Sequence, residues 1–152
     1  VHGLPLFGVI IAVTRFGRPV LGLLYDPVSD DWVIADEAAP ARMATVQGAE
    51  RLVRVSGGGA LAELQGYMHF SLMPKDRQEK LAPLLPALGR CNALRCSCHE
   101  YRLLAQGAVD FVMSEVLNPW DHAAGSSVSR PAAWRGCWMA TITILQSPRE
   151  LS

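Results

Sequence analysis

The sequence predicts an α/β fold, in the mixed α+β sense, built as one domain. Three observations carry that expectation. The first third alternates short β-branched apolar runs with turn residues, the later part alternates helix-like segments with short extended ones, and no internal repeat organises either. Half of the 152 residues are apolar, so a sizeable core can form without metals or disulfides as staples.

Taken in order, residues 8–14 (GVIIAVT) and 20–25 (VLGLLY) read as two strands, with Phe16-Gly17-Arg18-Pro19 supplying the turn chemistry between them. Their apolar continuity predicts burial on both faces. Residues 26–31 carry turn formers and residues 32–35 resume the strand pattern, which makes a meander of three. Residues 38–48 are small and irregular, residues 52–55 read as a further short strand, and Ser56-Gly57-Gly58-Gly59 reads as a flexible break, a place for a domain boundary. No Lys-Ser or Lys-Thr follows those glycines, so they are not a phosphate cradle.

From residue 75 the pattern is helical, and Pro83 and Pro86 end that helix near Ala82. Residues 92–96 read as a strand and residues 99–105 as a helix stopped by Gly107. Residues 109–113 are extended again. In Pro119-Trp120-Asp121-His122-Ala123-Ala124-Gly125, small helix formers follow an aspartate whose carboxylate is placed to cap the helix and face a site.

Composition excludes several classes of function. Lys plus Arg equals Asp plus Glu at 14 each, and no basic run stands out, so nothing marks a nucleic-acid or anionic membrane surface. The apolar stretch over residues 4–13 is too short to span a bilayer and lacks the flanks of a signal peptide, which predicts a cytoplasmic protein. Cys91, Cys96, Cys98 and Cys137 are not spaced as a disulfide framework, so reduced thiols are expected. With His99, the first three lack a partner pair at zinc-finger distance, and small buried thiols are the stronger reading. Asp26, Asp30 and Asp31 are read as turn residues rather than cation ligands, and His122 as structural rather than a proton donor.

Three segments together resemble the inositol monophosphatase family. Val1-His2-Gly3-Leu4-Pro5-Leu6-Phe7-Gly8 is similar to the run that follows that family's Asp-Pro-Ile-Asp-Gly-Thr motif. Gly22-Leu23-Leu24-Tyr25-Asp26-Pro27-Val28, with residues 32–35, is similar to its strand, Asp-Pro turn and strand. The stretch from Ala105-Gln106-Gly107 through Val109-Asp110-Phe111 to Trp120-Asp121-His122-Ala123-Ala124-Gly125 resembles its Trp-Asp-x-Ala-Ala-Gly signature at the family's spacing. Three segments in the right order are harder to obtain by chance than any one motif.

The resemblance implies a layered α/β sandwich of the inositol monophosphatase and fructose-bisphosphatase type, incomplete here, over residues 1–125. It implies Mg²⁺-dependent hydrolysis of a small phosphorylated polyol or sugar by the intact enzyme, with Asp121 as a metal ligand. Arg95, Cys96 and Ser97 fall at the family's Gly-Ser/Thr-Ala loop, which touches the substrate, and Ser114 or Glu115 at its substrate-binding glutamate. Arg95 replaces a small residue, so a substrate other than plain inositol phosphate is expected. The remaining metal ligands and the water activator lie in motifs that the resemblance places before Val1, so this chain alone is expected to bind no catalytic Mg²⁺ and to show no turnover.

Residues 126–152 depart from the family pattern, and a frameshifted tail is expected there. Read one base earlier, Arg130-Pro131-Ala132-Ala133 permits the family's Glu-Ala-Gly-Gly, which leaves Trp134, Cys137 and Trp138 as accidental apolar groups. Two alternatives to a monophosphatase stay open. One is a catalytically dead remnant that dimerises through exposed apolar surface; the other is a related bisphosphate or nucleotide phosphatase.

Overall fold

Two sheets with helices between them account for the order of elements in the computed structural model, which describes residues 5–129 of the chain. The first sheet is an antiparallel meander of β1 (Val9–Arg15), β2 (Arg18–Asp26), β3 (Asp31–Asp36), β4 (Arg42–Thr45) and β5 (Glu50–Leu52), paired in sequence order. Arg15 pairs with Arg18, leaving Phe16 and Gly17 as a two-residue turn with φ of 50° and 74°. Two positive φ values in succession match the right-handed twist of a hairpin, which is why a glycine stands there. In the next turn the Asp26 carboxylate accepts the amides of Val28 and Ser29 at 2.9 and 3.3 Å, as an Asx turn should.

The first sheet is not buried on both faces. Val9, Ile11 and Val13 are 42, 48 and 50% exposed, and register places them on the face of Leu21, Leu23 and Tyr25. An apolar run cannot tell two covered faces from one covered face beside an uncovered apolar one. The opposite face, with Leu24 and Val33 fully buried, carries the core.

The second sheet is parallel: β6 (Gln65–Met68) lies between β7 (Arg90–Asn92) and β8 (Phe111–Met113). α1 (Lys75–Leu81) ends as its prolines require and passes into a 3-10 stretch, Ala82–Ala87. The strand expected over residues 92–96 sits earlier, because Arg95 takes φ 64°, which no strand accommodates. Likewise the strand expected over residues 52–55 is Glu50–Leu52. The glycine loop separates the two sheets and is tied down by Ser56, whose hydroxyl donates to the Asp110 carboxylate.

α2 (Ser97–Ala105) touches both β2 and β8, and α3 (Pro119–Val128) crosses β1, β2 and β3, giving β/α/β layers. Small residues set these approaches. A Cβ on Gly22 would lie 2.5 Å from the Ala124 carbonyl, and one on Gly125 would collide with the Tyr101 ring. α2 is pinned to the β2–β3 hairpin by Arg102, which donates to the Leu24 and Asp31 carbonyls at 3.0 and 3.2 Å and pairs with the Asp31 carboxylate. Asp31 is therefore an ion-pair residue rather than a turn residue, a role its place beside Asp30 concealed. α3 runs past Gly125 to Val128, which is 1% exposed; residues 130–152, with Trp134, Cys137 and Trp138, lie outside the described residues.

Candidate active site

In a parallel sheet the chain leaves every strand at the same edge, and the loops and helix N-termini that follow gather there. Here β6 leads directly into His69, β7 leads into the loop that starts α2, and β8 leads through Ser114 to α3. The His69 amide donates to the Met113 carbonyl at 3.2 Å, which sets the ends of β6 and β8 side by side. Both helices thus begin at the carboxyl edge, where unpaired amides and helix dipoles favour an anion.

Glu100 organises this edge. Its carboxylate is fully buried, and Oε1 accepts the Leu94 and Arg95 amides at 3.1 and 3.0 Å and pairs with His69 Nε2 at 3.0 Å. One oxygen therefore joins the end of β6, the loop after β7 and the first turn of α2. Its Oε2 is buried and has no partner among the described residues, so the bonding of this carboxylate is directed to the loop and the histidine. The hydrogen bond to Glu100 raises the affinity of His69 for its proton, against the opposing effect of burial; the Asp121 charge adds to the rise and the Arg95 charge opposes it. Arg95 and Asp121, far apart in sequence, thus act on the same imidazole.

Arg95 is exposed, Cys96 occupies the N-cap position of α2 without a side-chain capping bond, and Ser97 is its first residue. Asp121 lies in the first turn of α3 but is not its cap. Asn118 holds the N-cap position and Pro119 the first helical one, where a missing N–H costs nothing. Asp121 Oδ2 instead accepts from Asn118 Nδ2 at 3.2 Å. Ser114 donates its hydroxyl to the Val116 carbonyl at 3.1 Å, and Glu115 faces Arg77 at 3.8 Å. His122 is structural, as expected: its Nε2–H donates to the Val116 carbonyl at 3.0 Å, so Nδ1 accepts the Tyr101 hydroxyl at 2.9 Å. Burial pushes Tyr101 up to about 12, which keeps that donor protonated.

His69 and Glu100 were missed by the sequence reading. Neither belongs to a motif, and the signal for His69, a polar residue directly after a short strand, becomes legible only once β6 is known to be parallel.

A resident Mg²⁺ would need about six oxygen ligands in near-octahedral array, several of them water. Asp121 offers one carboxylate, and no three His, Cys, Asp or Glu side chains gather in a metal-holding group among the described residues. The residues on this face therefore do not by themselves fit the ion. Cys98 is 2% exposed and burial pushes its thiol up to about 11, which agrees with a packing role; no disulfide joins Cys91, Cys96 and Cys98. No helix among the described residues is long and apolar enough to cross a membrane.

Residues 1–133 match the inositol monophosphatase family. A fructose-1,6-bisphosphatase/inositol-1-monophosphatase of Thermotoga maritima is 32% identical over 136 residues, covering 87% of this chain and 49% of the relative. An inositol-1-monophosphatase of Mesorhizobium japonicum is 27% identical, covering 86% and 49%. Among solved structures, the extragenic suppressor protein SuhB of Bartonella henselae superposes with a TM-score of 0.71 at 25% identity, over 86% of this chain and 50% of that one. A Thermotoga maritima inositol monophosphatase gives 0.68 at 26%, over 84% and 47%. The chain spans about half the length of the curated relatives it matches.

Proposed function

The chain belongs to the inositol monophosphatase family, and from that premise we propose that it forms the substrate-facing wall of a Mg²⁺-dependent phosphomonoesterase acting on a small phosphorylated polyol or sugar. The observation that carries this reading is the convergence of Asp121, the 95–97 loop and two helix N-termini at the carboxyl edge of the parallel sheet. Two oriented sets of amides with a cationic arginine favour a phosphate group, and the edge is where an α/β protein binds such ligands.

Within this reading Asp121 would supply one oxygen ligand to a Mg²⁺ ion, whose other ligands would come from the part of the family domain that this chain does not span. Its bond from Asn118 holds the carboxylate in the first turn of α3. The amides of Cys96 and Ser97, in the loop that Glu100 sets through its bonds from Leu94 and Arg95, orient the substrate's hydroxyls. Tyr101 and His122 hold α2 and α3 together, their rings edge to face at 5.8 Å, and keep the two helix starts in register. The names of relatives point to inositol phosphates and to fructose bisphosphate as substrate types. A cytoplasmic location belongs to the same proposal.

The test is a ¹H–¹⁵N NMR titration of this chain with inositol 1-phosphate. Shifts are expected at the amides of residues 94–97 and 120–122, altered by D121N through the removal of a negative charge beside the ligand. Shifts confined to other surfaces, or none, would overturn the reading.

A second reading, a non-catalytic module that dimerises, draws on the uncovered face of Val9, Ile11, Val13, Leu21, Leu23 and Tyr25. Sedimentation at rising protein concentration tests it: a concentration-dependent dimer abolished by Ile11→Lys favours it, and a monomer throughout removes it.

A further inference from the structure

Arg95 departs from what its position asks for in two ways. Its φ of 64° is a conformation that suits glycine, and among the described residues its guanidinium enters no ion pair. The strained backbone is held there by Glu100, which accepts the Leu94 and Arg95 amides while it is itself fixed by His69. A buried carboxylate and histidine thus fasten the loop, and the loop presents an exposed cation whose charge is felt at the same imidazole as that of Asp121.

We propose that Arg95 is a specificity-determining residue, held by the His69–Glu100 clasp so that its guanidinium reads a second oxyanion, phosphate or carboxylate, on a substrate whose first phosphate lies beside Asp121. Glu100 and His69 are positioning residues in this arrangement, since they act through the loop. The chemistry is that of the guanidinium fork, whose paired N–H groups match the oxygens of a phosphate or carboxylate, whereas a neutral hydroxyl uses neither the charge nor the second donor. A polyol carrying one phosphate leaves this arm without a partner; a sugar bisphosphate or a phosphorylated sugar acid engages it. The proposal rests on the phosphate-site reading above and adds the class of substrate.

The test compares three probes on this chain by NMR titration: inositol 1-phosphate, fructose 1,6-bisphosphate and 6-phosphogluconate. The parent chain is expected to bind at least one doubly anionic probe about tenfold more tightly than inositol 1-phosphate, the size of one charge-assisted contact. The probe preferred shows whether the second group is a phosphate or a carboxylate. R95G should erase the preference: all three affinities fall with the loss of a positive charge from this edge, but those of the probes with a second anionic group fall about tenfold further than that of inositol 1-phosphate. Glycine is at ease at positive φ, so a lost preference in R95G is not lost folding, and an undiminished urea midpoint checks this. R95K, with the charge but not the fork, should fall between. E100Q, which loosens the clasp, should reduce the preference and speed hydrogen exchange at the Leu94 and Arg95 amides. Equal affinities for all three probes, or a preference that survives R95G, overturns the inference while leaving a phosphate site in place; failure of the parent chain to bind inositol 1-phosphate overturns both.

Discussion

Arg102→Met should destabilise the chain by about 4 kcal/mol, and two routes through the structure give that figure. Arg102 and Asp31 side chains are 6 and 12% exposed, so removing the cation leaves a buried carboxylate without its partner, which costs about 3–5 kcal/mol. Counted by bonds, two contacts to neutral carbonyls contribute about 1 kcal/mol each and the charged contact about 2–3. Methionine keeps most of the stem that α2 packs against the hairpin, so the loss reports the head group rather than a cavity. Adding Asp31→Asn removes the stranded charge and should recover about 2 kcal/mol, leaving two unpaired carbonyls. Urea denaturation followed by far-ultraviolet circular dichroism measures all four corners of the cycle, with unchanged slopes as a check on two-state behaviour. A loss below about 1 kcal/mol for R102M, or strict additivity of the two changes, would refute the claim that this pair pins α2 to the sheet.

Gly125→Ala places a methyl on the Tyr101 ring and should cost about 1–3 kcal/mol through separation of α2 from α3, read as a lower urea midpoint; an unchanged midpoint would show that this approach is loose. The proton affinity of His69 is raised above its ordinary 6.5 by Glu100, so folding favours the charged ring. Its stabilisation is complete below pH 6.5 and is lost as pH rises through the higher folded value. His69→Gln should flatten that decline, and a parent chain whose stability is flat or rising there would contradict the pairing. Cys98, nearly inaccessible and held protonated, should be the last of Cys91, Cys96 and Cys98 to react with iodoacetamide in the native chain, and early labelling by mass spectrometry would show α2 opening from the sheet.

The first three strands of the first sheet are legible because their signals are local, whereas β4 (Arg42–Thr45) forms in a stretch that reads as small and irregular. The Phe16-Gly17 turn, the Asx turn at Asp26 and β-branched runs each act within a few residues, and their strands form where expected. What was misjudged depends on partners distant in the chain. Whether Val9, Ile11 and Val13 are covered is decided by what packs over them, not by their own apolarity. The end of β7 is set by Glu100, eight residues beyond Asn92, whose two amide bonds turn Arg95 out of any strand. Asp31 read as a turn former because Arg102 is 71 residues away.

The candidate site divides in the same way. Asp121 and its small neighbours form a motif because one helix turn must bring a carboxylate to the edge while Ala124 and Gly125 let α3 lie against Gly22 and Tyr101. The Arg95, Cys96 and Ser97 loop was legible by resemblance alone. The His69–Glu100 clasp beneath it was not legible at all, because a single charge-bearing residue in a helix and a single histidine after a strand carry no spacing signal.

The decisive measurement is Mg²⁺-dependent release of phosphate from inositol 1-phosphate by this chain joined to the half of the Thermotoga maritima relative that it does not match. Turnover should require both halves and fall at least about a hundredfold in D121N, with the fold intact. Turnover that is unaffected by D121N would contradict the assignment of Asp121 and with it the claim that this edge forms the wall of a phosphatase site.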